Sequence, residues 1–165
     1  MKKICLTAAI AVFLLFISNG IQGQTTQTQL DQIKLMEQWL GTWQQDIGKD
    51  TVEIWEVQQY EKAFISTGHI LVKGKKSFDF AEDWSFSHKL GKFKGYLLWA
   101  DGSYSTWIGS FTTEKKLSGD WIWDFNPEAV KGKFEVVLET PKSMTITQIN
   151  TKGVMVGGYK LNKIK

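Results

Sequence analysis

Two side chains able to move a proton, Glu82 and His88, lie an even number of residues apart in an otherwise aromatic stretch. Alternate residues on an extended strand face the same way. Glu82 and His88 would therefore share a face with Phe80, Trp84 and Phe86, opposite Asp79, Asp83, Ser85 and Ser87. If that face points inward, desolvation raises the proton affinity of the carboxyl and lowers that of the imidazole. That tuning serves acid–base chemistry or the anchoring of a polar ligand group. A bulge between Phe80 and Trp84 would reverse the parity and turn Glu82 to water. His88, beside a Lys89-Leu90-Gly91 turn, would then be a solvated rim residue.

His69 shares parity with Ile65, Thr67 and Leu71 and is a second candidate inward imidazole. There are two histidines and one cysteine, Cys5, so a metal site would have to be completed by carboxylates. No metal or other cofactor is expected. The chain contains no phosphate-binding glycine loop, no Gly-x-Ser-x-Gly elbow and no His-Glu-x-x-His pair. Glu82 and His88 are therefore the catalytic candidates, and the residues favour binding over catalysis.

The aromatic residues carry the stronger signal. Trp55, Trp84, Tyr96, Trp99, Tyr104, Trp107, Trp121, Trp123 and Phe125 are spread along alternating segments. Aromatic walls bind lipids, flat apolar molecules or sugar faces, and they also fill cores. The expected ligand-binding set is Trp84, Phe86, His88, Tyr96, Trp107, Trp121 and Trp123.

The elements that must position these residues follow from a turn signal every ten to fourteen residues after Gly41. Among the signals are Gly48-Lys49-Asp50, Gly74-Lys75, Asp101-Gly102, Asn126-Pro127 and Lys152-Gly153. Between them lie short runs rich in β-branched and aromatic residues. The spacing predicts strands at 42–47, 51–59, 63–73, 77–89, 92–100, 103–113, 117–125, 132–140, 143–150 and 154–163. Trp121, Trp123 and Phe125 would form one stripe on the seventh. Before them Leu30, Ile33, Met36 and Leu40 recur at helical intervals, and Gly41 ends the helix. The fold expected is all-β: an antiparallel up-and-down barrel or clam of about ten strands with a short N-terminal helix.

Residues 1–23 read as a signal peptide: Lys2 and Lys3 precede an apolar run from Ile4 to Ile17, with small residues at Ser18, Gly20 and Gly23. That run is short of the roughly 20 residues a membrane-spanning helix needs. Residues 24–29 form a polar lead-in and 30–165 one domain. Export to the periplasm or outside the cell is expected, without stable membrane insertion. Removing the leader takes Lys2 and Lys3 from a formal charge of +3, so the product is nearly neutral. All its basic residues are lysines, with no arginine to read a base or grip a phosphate by a planar fork, which argues against nucleic acid. The sequence names no protein partner.

The segment Leu40-Gly41-Thr42-Trp43, where the helix runs into the first strand, resembles the Gly-x-Trp signature of the lipocalin or calycin superfamily. The resemblance implies a barrel whose floor is plugged by Trp43. Lipocalins usually lay an arginine across that indole; here Lys160 or Lys163 on the last strand would take its place. It also implies similarity to small exported bacterial barrels, and an interior that holds a small hydrophobic or amphipathic ligand. Two other functions remain open: a barrel filled by its own side chains that works through its surface, and isomerase, cyclase or decarboxylase chemistry at Glu82 and His88.

Overall fold

The computed structural model describes residues 30–165; the expected leader at 1–23 and lead-in at 24–29 lie outside the described residues. Within them the turn rhythm becomes ten antiparallel strands. These are β1 Gly41–Gly48, β2 Thr51–Tyr60, β3 Ala63–Val72, β4 Lys75–Ser87, β5 Lys92–Trp99, β6 Tyr104–Thr113, β7 Lys116–Trp123, β8 Asn126–Thr140, β9 Ser143–Asn150 and β10 Met155–Lys163. Each strand pairs with its neighbours in sequence, and β10 returns to β1, so the sheet closes into an up-and-down barrel. Closure removes the open edges that would otherwise pair with other chains.

The N-terminal helix is shorter than the apolar stripe suggests. It consists of α1, Gln32–Met36, tightened into a 3-10 turn over Glu37–Trp39. The Asp31 carboxylate caps it, accepting from the Lys34 amide at 3.1 Å. Met36 is fully buried, while Leu30, Ile33 and Leu40 pack half-buried against the barrel. The tighter last turn brings Trp39 inward. The helix covers one barrel end, where Gln32 bonds both main-chain groups of Phe111 and Gln38 reaches the Glu114 carbonyl.

Inside, the two halves of the barrel differ. Next to the helix, Val57, Phe64, Phe93, Phe111, Leu117, Leu138, Met144 and Leu161 form a packed core. Large rings fit because glycines face them across the strands: Gly68 lies under Phe80, Gly95 under Trp107, and Gly119 under Phe134. A methyl group on any of the three would overlap the ring above it. Toward the opposite end the packing gives way to a cavity.

Other features also depart from the sequence reading: β4 ends at Ser87 and not at 89, which leaves His88 in the turn. β8 starts at Asn126 and not at 132, because the β7–β8 hairpin turns on Asp124 and Phe125, both with positive φ (44° and 58°). Register shifts on either side of Ile122 also break the expected Trp121–Trp123–Phe125 stripe. In contrast, β4 and β5 stay in register from Phe80 to Ser87, so Glu82 keeps the parity of Phe80 and Trp84. The barrel's seam is its thinnest junction. β1 and β10 are registered at Trp43↔Lys163 and Gln44↔Asn162, whereas β2 and β3 pair from Thr51↔Val72 to Tyr60↔Ala63.

Candidate functional site

The motif at the closed end is a mechanical joint. Gly41 has φ 117°, and a Cβ there would stand 2.5 Å from the Lys165 carbonyl oxygen, so only glycine fits. Thr42 then bonds main chain to main chain with Lys165 and Ile164, at 3.1 and 2.8 Å. The buried Trp43 indole donates to the Trp39 carbonyl at 2.7 Å. The Lys163 ammonium lies 4.9 Å from the Trp43 ring centre and donates to the Gln38 carbonyl at 3.2 Å. Lys160 points elsewhere, forming a surface ion pair with Glu139. One lysine thus ties together the helix end, the first strand and the last.

From this joint toward the other end extends a cavity of about 530 Å³, to which the helical turn contributes Trp39. Its wall is built largely from the indoles of Trp39, Trp55, Trp84, Trp99, Trp107 and Trp121, with Phe80, Leu97, Phe134 and Ile146 between them. Trp84 is the hub: Trp39 and Trp55 meet it edge-on, at 5.1 and 6.5 Å between ring centres, and Trp107 tilts against it at 6.2 Å. Rings locked edge to face hold a rigid wall.

Polar groups interrupt this wall. Glu82 accepts a 2.7 Å hydrogen bond from the Trp107 indole. Glu82 lines the cavity and is half-buried. Burial raises its pKa from 4.5 to about 7, against the steadying effect of the Trp107 N–H. Trp84 N–H, short of a formed hydrogen bond, steadies the ionised form further, while the nearby Asp83 and Glu53 charges push the pKa up. Glu53, on the same cavity wall, is likewise raised by burial. Burial also lifts the Tyr159 hydroxyl to about 12, reinforced by Glu53 and Glu82. Five buried polar atoms of the described residues have no protein partner: the indole nitrogens of Trp39, Trp55 and Trp84, the Gln45 side-chain oxygen and the Ser66 hydroxyl. All but Ser66 belong to residues lining the cavity.

Among the residues expected to bind ligand, Trp84, Trp107 and Trp121 lie on this wall. The others lie apart from it. Phe86 and His88 border a separate cleft of about 240 Å³ near the start of the helix, and the exposed His88 ring stands edge-on to Phe86. Glu82 and His88 are therefore not brought together. Tyr96 has the opposite parity to Leu97 and Trp99, and it stacks with Tyr104 and Phe125 on the barrel's outer face. Trp123, beyond the register shifts, is 57% exposed, with Lys131 over its ring.

Trp39, Gln45, Glu53 and Tyr159 are among the cavity residues that escaped the sequence reading. Trp39 continues the helical stripe three residues past Met36. Glu53 has the parity of Trp55 and Val57, and Tyr159 that of Leu161. The signal was present for these three.

No protein-family model and no curated protein matches the chain. Among solved structures it is similar to a redesigned β-barrel at 11% identity, over 79% of this chain and 95% of that one, with a TM-score of 0.34. The chain's own strand pairing defines its class, a closed ten-strand antiparallel barrel with a cavity at one end.

Proposed function

We propose that this protein is an exported, lipocalin-like container that holds a small hydrophobic or amphipathic molecule inside its barrel. The observation that carries the reading is the cavity itself, about 530 Å³ and walled by six tryptophans, five from the strands and Trp39 from the helical turn. Sites for small molecules commonly span about 300–1,000 Å³ and combine apolar walls with a few placed polar groups. Here those groups are Gln45, Glu53, Glu82 and Tyr159. The Gly41–Trp43 joint, with Lys163 across the indole, supports the lipocalin-like part of the proposal.

The test is native mass spectrometry of protein purified from its own host, before and after organic extraction, followed by titration of an apolar fluorescent probe. An extractable mass, or probe binding that quenches the indoles, is the expected result. An empty protein that binds no apolar probe would leave the barrel without a cargo.

Proton-transfer catalysis is a second reading. It rests on Glu82 alone, poised near neutrality in an aromatic enclosure. It expects turnover that Glu82→Gln abolishes while binding persists.

A further inference from the structure

Building on the container reading, we propose that the guest is a hydrophobic organic cation, a protonated amine whose ammonium is held by Glu53 and Glu82 while its apolar body lies among the indoles. Three residues with acceptor side chains, Gln45, Glu53 and Glu82, border the cavity, the first two on paired strands and the third beyond β3. Gln45 and Glu53 are direct cross-strand partners on β1 and β2, and the Gln45 side-chain oxygen is buried without a protein donor. Glu82 enters from β4, with one oxygen bonded to Trp107. An ammonium brings up to three N–H donors, which matches that set.

Among the described residues, no lysine is placed to supply this charge. Among the described lysines that border the cavity, Lys131 lies over the exposed Trp123 ring. Lys133 pairs across from Asp120, with the parity opposite to the inward-facing Phe134. Lys163 is occupied at the closed end. The other charged or titratable groups around Glu82 are Glu53, Asp83 and Tyr159, none of them cationic.

Two carboxyl groups facing one low-dielectric space make each other harder to ionise, and a guest cation relieves both at once. Indole faces attract cations in addition. A guest carboxylate would add a third like charge.

The test compares three probes with one apolar frame, 4-phenylbutylamine, 4-phenylbutanol and 4-phenylbutyrate, by isothermal titration of the purified protein at about pH 8. The amine is expected to bind at least about tenfold more tightly than the alcohol, with the carboxylate weakest. Glu53→Gln and Glu82→Gln should each shrink the preference for the amine, and the double variant should abolish it while the alcohol still binds. Equal binding of amine and alcohol, or a preference for the carboxylate, overturns the cation proposal and leaves the container reading intact. If none of the three binds and the extract of the native protein is empty, both fall. Should the variants fail to fold, the three-probe series on the unaltered protein decides alone.

Discussion

Ionising Glu82 puts a charge among indoles, and the cost is readable in how stability depends on pH. Its carboxyl stands at about 7 in the folded chain against an ordinary 4.5. Below the lower value it is protonated whether the chain is folded or not. Between the two values the unfolded chain releases the proton while the folded chain keeps it, so stability falls as pH rises. Above about 7 the loss is complete, on the order of 3 kcal/mol. Glu53 acts in the same direction. Glu82→Gln, whose amide oxygen can still accept from Trp107, should flatten the curve by up to that amount, as measured by urea unfolding at pH 5 and pH 8. Identical slopes for the two proteins would mean that the carboxyl is already bathed in solvent. Lys163 makes a second residue-scale prediction. Lys163→Met loses the stacking on Trp43 and the bond to Gln38, and should cost about 1–2 kcal/mol. Lys163→Arg should recover most of it in the same assay. At this scale strand parity made Glu82 legible. It also held the clue to Glu53, which was missed because an acidic residue between Val52 and Ile54 reads as ordinary surface alternation.

At the scale of elements, the barrel alternates seats and occupants: glycines on β3, β5 and β7 face rings on β4, β6 and β8. Gly95→Ala should displace Trp107 from its seat and from Glu82, destabilising the fold by about 1–3 kcal/mol and shifting the tryptophan emission. Gly158→Ala is the control, since a Cβ there meets only the Ile146 carbonyl oxygen at 3.7 Å. It should stay within about 0.5 kcal/mol. A Gly95→Ala protein as stable as the control would refute the seating argument. The strands themselves were legible because hydrophobic alternation and turn residues agreed along most of the chain. The β7–β8 hairpin was not. Asp124 and Phe125 adopt a backbone that favours glycine or asparagine, held by the stacking of Phe125 on Tyr96 and the bond between Tyr104 and Asp124. Only the tertiary structure reveals such contacts, so the sequence placed the turn at Asn126-Pro127 and carried Trp123 and Phe125 onto the wrong stripe.

For the whole molecule, the fold was legible as a closed count of strands, whereas the division into a packed half and a hollow half was not. That division depends on which side chains meet across the barrel, and pairings between distant strands leave no local pattern. The weakest junction of the closed sheet is the β1–β10 seam. Amide hydrogen exchange should therefore be faster at Gln44 and Asn162 than along β2 and β3, where ten residue pairs share the load. Uniform protection around the barrel would contradict this. Near the mouth Met155 and Val156 on β10 stand 67% and 61% exposed, and Val156 and Tyr159 border the cavity beside Gln45 of β1. Under the proposed container function, a guest too large for the mouth would leave by parting the wall between β1 and β10, so its residence time would follow the rate of a local opening. The same seam joins positions at opposite ends of the described chain, which makes it the contact with the most entropy to overcome during folding. Closing the barrel would then be governed by this one slow step, and a substitution that loosens Trp43 from Lys163 would delay assembly.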